Sequence, residues 1–109
     1  MLALKKLYYE KYAKKSYSLS NIDVVIDYIF KGIKKGIYID IGCNHPIKHN
    51  NTYLLHKRGW RGINVDSDKT SIKLFNRYRK NDHNIRNIVS DNTDLKKLYF
   101  YHDRSAINT

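Results

Sequence analysis

The chain has a single cysteine, Cys43, so no disulfide can form within it. It has one proline, Pro46, and five glycines, with no Pro/Gly/Ser-rich stretch that would separate domains. At 109 residues, one domain is the ceiling. No apolar run approaches the roughly 18 residues that a membrane span needs. The opening MLALKKLYYEKYAKK has no sustained apolar stretch after its basic pair, so it does not read as a signal peptide. Scarce cysteine and no leader point to a reducing, cytoplasmic setting. There is no Gly-x-Gly-x-x-Gly, which speaks against a dinucleotide site. Acid is scarce too: 10 Asp+Glu stand against 21 Lys+Arg, a formal net charge of +11.

Hydrophobic residues make up 41% of the chain and charged residues 28%, a balance that suits a globular domain rather than a disordered one. The positive excess has two readings. It attracts phosphates or an anionic surface, or it records A/T-rich codons, which favour the abundant Lys, Asn, Ile and Tyr.

Helical and strand patterns alternate along the chain. Residues 2–15 read as a basic helix with Tyr8, Tyr9 and Tyr12. A second helix runs from a Ser20 cap, with Asp23 three residues on, to about residue 35. Its apolar positions Ile22, Val25, Ile26, Ile29, Phe30 and Ile33 recur at steps of three and four, which predicts a buried face. Gly36 stops it, and residues 37–42 form a short, β-branched, buried strand. After a polar loop, residues 52–58 suit a short helix opened by Asn50 or Asn51 and closed by Gly59. A second strand covers 62–66. Asp68 or Thr70 caps a fourth helix that buries Ile72, Phe75 and either Tyr78 or Arg79. A third strand is expected at 85–89 and a fourth at 98–101. Such alternation predicts an α/β fold with a parallel sheet. Residues 1–36 are then a helical segment and 37–109 the α/β part of one domain.

Three acids fall at or near strand ends: Asp40 with Gly42, Asp66, and Asp91. In open α/β sheets, ligands bind beyond the carboxyl ends of the strands. A glycine in the first turn lets a ligand approach the backbone. An acid ending the second strand can accept from both hydroxyls of a ribose, and Asp66 follows Gly42 at close to the roughly 20-residue spacing of that geometry. Asp91 is placed to accept from an adenine amino group. The same residues also serve plain structure: Asp66, Ser67 and Asp68 as helix caps, and Asp91 as a turn former.

The run GIYIDIGCNHPIKHNNTYLLHKRGWRGINVDSD, residues 36–68, resembles the opening of FkbM-family methyltransferases. That opening has a glycine-preceded strand ending in Asp-Ile-Gly (Asp40, Ile41, Gly42) and a loop like Asn44, His45, Pro46. An Asn-Thr pair (Asn51, Thr52) follows, then a Gly-Trp-x-Gly turn (Gly59, Trp60, Gly62). The later IVSD, ending at Asp91, resembles the family's third strand, and the likeness spans about residues 16–91. It implies a partial Rossmann-like methyltransferase fold, with sheet order 3-2-1 flanked by helices, that binds S-adenosylmethionine. Asp40, Gly42, Asn44, Asn51 and Thr52 would lie about the cofactor, Asp66 on its ribose and Asp91 near its adenine. The activity implied is O-methyl transfer to a small-molecule or sugar hydroxyl. Two departures stand out. Of the family's Ser-Gln and Glu-Asp pairs before the first helix, only Ser18 and Asp23 are present. The family's C-terminal half, with its remaining strands, is expected to be missing.

No catalytic base can be named, although His45 and His49 fall near the expected cofactor mouth. Cys43, His45 and His49 lack an evident fourth zinc ligand. Trp60 is expected in the core. In the complete family fold the first strand is paired on both sides; without that second neighbour one edge would lack a partner, so the chain is expected to self-associate or to need a partner carrying the missing half. The rival reading is a small, basic, non-catalytic nucleic-acid-binding protein.

Overall fold

The computed structural model describes residues 15–91. The strand expected at 98–101, and all but the last residue of the helix expected at 2–15, lie outside the described residues. The described elements are α1 (Ile22–Ile29), β1 (Ile37–Ile41), α2 (Tyr53–Lys57), β2 (Arg61–Asp66), α3 (Lys69–Tyr78) and β3 (His83–Arg86). The three strands form one parallel sheet in the order β1-β2-β3. Tyr38 pairs with Gly62, Asp40 with Asn64, and Asp66 with Arg86.

The two faces of this sheet differ. Tyr38, Asn64 and Asp66 are buried on one face, beneath α2 and α3. Gly62 makes this possible, because a β-carbon there would collide with the backbone and ring of Tyr38. One apolar cluster joins Tyr38 to Leu55 of α2 and to Trp60, with Ile26 of α1 packed against it. A second joins Ile72 and Phe75 of α3 to Cys43. Trp60 lies in the core as expected, its indole N–H donating to the Ile33 carbonyl at 3.2 Å.

The other face is open among the described residues. Ile37, Ile39 and Ile41 are 81%, 65% and 59% exposed. They pair in register with Arg61, Ile63 and Val65, and Val65 pairs with Ile85. The buried strand expected at 37–42 is therefore buried on one side only. A five-residue β-branched run shows that a strand forms, but not how many layers cover it.

Helix α1 departs further from its periodic pattern. It starts after Asn21, which adopts a left-handed backbone, rather than from Ser20, and it ends at Ile29 rather than near residue 35. Its fully buried residues are Asp23 and Asp27, while Ile22, Val25, Ile29, Phe30 and Ile33 are all exposed by more than a third. Polar anchoring explains both differences. The Asp23 carboxylate accepts from Ser16 Oγ, Ser18 Oγ and the Tyr17 and Val24 amides. Asp27 pairs with Arg58 at 2.7 Å. The same guanidinium donates to the Phe30, Lys31 and Ile33 carbonyls, so the acceptors past the helix end are held by a tertiary partner and not by another helical turn.

The remaining boundaries follow local chemistry. Asn50 opens α2, its Oδ1 accepting from the Thr52 and Tyr53 amides, and Gly59 closes it at φ 104°. Asp68 caps α3 by accepting from the Thr70 amide. Of the two alternatives for the buried face of α3, Arg79 is buried and Tyr78 is exposed. Strand β3 lies at 83–86, earlier than the 85–89 expected. Its ladder ends where the Asn87 amide donates to Asp66 O, and the Asn87 side chain then accepts from the Ile88 amide.

Candidate functional site

The carboxyl ends of β1 and β2 meet a loop, residues 42–52, whose shape depends on backbone conformations that most residues avoid. Gly42 has φ 76°, Asn44 φ 62° and His49 φ 49°. Asparagine tolerates the left-handed region better than most residues. At Gly42 the space a β-carbon would enter is empty. A cavity of about 300 Å³ opens there, lined by Gly42, Asn44, His49 and Asn51 of the loop and by Leu19, Ser20 and Ile22 at the start of α1. A second cavity of about 400 Å³ shares His49 with it and carries Lys15 and Lys48 on its walls.

Beneath the loop sit the strand-end acids. Asp40 Oδ2 accepts from Thr52 Oγ1 at 3.4 Å and from Asn50 Nδ2 at 3.5 Å. Burial pushes its carboxyl above the usual carboxylate range and the neighbouring Asp66 adds to this. The Arg79 charge and the bonds from Thr52 and Asn50 oppose it without cancelling it. Asp66 is itself buried. One of its oxygens accepts from the Asn44 amide and the other from the Asp68 amide, both at 2.9 Å. The carboxylate that ends β2 thus ties the first loop to the turn leading into α3.

The sequence-derived residues fall in three places. Gly42, Asn44 and Asn51 line the cavity. Asp40, Thr52 and Asp66 form a hydrogen-bonded floor under the loop. Asp91 lies in exposed coil past β3 and accepts from Ser90 Oγ. His45 turns back on its own loop, its Nδ1 accepting from the Ile47 and Lys48 amides. Burial, helped by Lys48 and His49, holds its pKa below that of an ordinary histidine. Cys43 is buried, and that burial, with Asp40 and Asp66 nearby, pushes its thiol far up, so the thiolate is disfavoured. Among the described residues, no three His, Cys, Asp or Glu side chains converge as a metal site.

Residues that the sequence reading did not assign to the site complete the floor. Asn50 donates to the Cys43 and His45 carbonyls. Arg79 reaches the loop from the end of α3. Asp82 accepts from the Gly62 amide, Asn64 and the Tyr38 hydroxyl. Hydrogen bonds between residues far apart in sequence leave no periodic trace, which is why pattern reading did not bring these three together. Ser18 and Asp23 bond to one another, Ser18 Oγ to Asp23 Oδ1 at 3.0 Å and the Asp23 amide to Ser18 Oγ at 3.3 Å. They fix the turn before α1, and α1 in turn supplies one wall of the cavity.

No family model, curated protein or solved structure matches the chain. Among the described residues no helix is long and apolar enough to cross a membrane.

Proposed function

We propose that this α/β unit binds S-adenosylmethionine at the carboxyl ends of β1 and β2, as the cofactor-binding part of an FkbM-type methyltransferase acting on a small-molecule or sugar hydroxyl. The observation that carries the reading is the Gly42 turn, a left-handed glycine whose missing side chain leaves open space at the end of the first strand. The Asp66 carboxylate ends the adjacent strand, one bond away from Asn44. A glycine cradle and an acid on the neighbouring strand suit a nucleoside ligand at an open α/β sheet.

In this reading Gly42, Asn44 and Asn51 line the cofactor's cavity, and Asp66, beneath the loop, takes a ribose hydroxyl by exchanging one of its bonds to the Asn44 and Asp68 amides. Asp40 and Thr52 shape the loop from below, and Asp91 approaches the adenine from the coil after β3. The cofactor supplies an activated methyl on sulfur, and the chain supplies position. The second cavity, adjoining at His49, offers room for the acceptor.

The test is calorimetric titration with S-adenosylhomocysteine, beside Asp66→Ala. Wild-type binding that the variant loses supports the reading. A folded wild-type chain that ignores the ligand overturns it. The +11 charge would then favour nucleic-acid binding, with steep salt dependence and indifference to Asp66→Ala as its signature.

A further inference from the structure

We infer that Arg79 is a positioning residue for this site: its buried guanidinium, anchored at the end of α3, sets the conformation of the 42–52 loop and so the shape of the cavity. The inference rests on reading that loop as the cofactor's, and it concerns a residue that touches neither cavity.

Arg79 is 1% exposed. Burying a guanidinium is expensive unless its donors are matched, and here most of them go to one loop. Nε and Nη2 both donate to Pro46 O, at 3.1 and 2.9 Å. Nη2 also donates to Asn50 Oδ1 at 2.8 Å, and Nη1 to Thr52 Oγ1 at 3.2 Å. Nη1 further meets the Tyr38 hydroxyl at 3.0 Å and Asp82 Oδ2 at 3.4 Å, which holds the head group against the sheet. The ring faces of Tyr38, Tyr53 and Phe75 pack around it.

The bond to Asn50 carries the effect onward. A guanidinium has only donors, so with the Thr52 and Tyr53 amides it fixes which end of the Asn50 amide faces it. With Oδ1 toward Arg79, Nδ2 must point the other way, to the Cys43 and His45 carbonyls and to Asp40. Those two carbonyls flank Asn44, whose left-handed backbone the loop must hold. One planar fork thus sets Pro46 directly and, through Asn50, the segment that lines the cavity. A leucine or methionine would fill the same volume without aiming Asn50, and a lysine would offer a point charge without the fork.

Arg79 has a second consequence. Asp40 faces Asn50 and Thr52 from the loop, Asp66 from β2, the buried Cys43 thiol, and the Arg79 charge from α3. Arg79 is the cation that opposes the burial of Asp40, so charge and shape at this site have one source.

The experiment compares wild type, Arg79→Lys and Arg79→Met. Protection of the β2 and β3 ladder amides against hydrogen exchange checks the fold of each. Three quantities are then read: exchange of the amides from 43 to 50, S-adenosylhomocysteine affinity, and the titration midpoint of the Asp40 carboxyl by NMR. Faster loop exchange is expected in both variants while the ladder stays protected, with affinity reduced roughly tenfold or more, the scale of losing charged hydrogen bonds. The Asp40 midpoint should rise in Arg79→Met and stay close to wild type in Arg79→Lys, a separation that simple loosening of the core would not produce. Unchanged loop exchange in a folded variant overturns the inference, and Arg79→Lys alone decides this if Arg79→Met fails to fold. If wild type binds no S-adenosylhomocysteine, the cofactor reading falls, and the exchange and titration arms still decide the role of Arg79.

Discussion

Gly42 holds φ 76° beside empty space, so Gly42→Ala meets no clash but places a β-carbon in a left-handed backbone. Such strain costs about 1 kcal/mol. A small fall in melting temperature is expected, with a larger loss of S-adenosylhomocysteine affinity because the methyl enters the cavity. Equal affinity in the variant would remove Gly42 from the site. Asp23 is different in kind. It is fully buried, and although burial pushes its carboxyl up, the bonds from Ser16, Tyr17, Ser18 and Val24 outweigh this and hold it below its ordinary 3.8. A depressed carboxylate contributes stability that is complete above its unfolded pKa and is lost as pH falls through the folded value. The urea midpoint should therefore hold steady from pH 7 to about 5 and fall at more acid pH. Asp23→Ala should lower stability at pH 7 by about 2 kcal/mol and flatten that acid limb. A variant with an unaltered acid limb would show that the carboxylate is not what holds the 16–18 turn.

Helix α1 shows how tertiary contacts displace an intrinsic pattern. Its isoleucines recur at helical spacing, yet its buried positions are acids because Ser16, Ser18 and Arg58 wait for them. Arg58 joins α2 to α1 through Asp27 and the carbonyls that follow the helix. Removing one partner of a largely buried pair costs about 3 kcal/mol. Arg58→Ala should lose stability on that scale, read by denaturant unfolding, and should speed exchange of amides 24–30 more than those of the β1–β2 ladder. Uniform loss across the sheet would mean that Arg58 supports the whole core and not this junction. By contrast, α3 agrees with its sequence at its start and on its buried face. Asp68 caps it, Ile72 and Phe75 fill the core, and Arg79 ends it.

In the whole molecule, the sheet has helices on one face only among the described residues, and β1 lies at its edge. Parallel sheets are ordinarily covered on both faces, and apolar edge strands invite pairing with another chain. Concentration-dependent elution from a sizing column is expected, and Ile39→Lys on the open face should shift it toward monomer. A single monomeric peak up to high concentration would sink this expectation. The net charge of +11 opposes self-association at low ionic strength, so the effect should grow with added salt.

The alternation of strands and helices, the start of α2 near Asn50 or Asn51, the cap of α3 at Asp68 or Thr70 and the stop at Gly59 were legible in the sequence, because each depends on a short stretch of chain and a local rule, whereas the sheet order came only with the family resemblance. Gly42 and the acids at 40 and 66 were legible as strand-end residues for the same reason. Only the tertiary structure decided what lies beneath them. Asn50, Arg79 and Asp82 come together from separate elements, and a hydrogen bond between residues 29 positions apart leaves no periodic mark. It also decided which surfaces are covered. Periodicity records that a side chain is apolar, but burial depends on whether another layer lies against it, so Ile22 and Ile29 of α1 and the isoleucines of β1 read as core and stand exposed, while Ile26 packs inward.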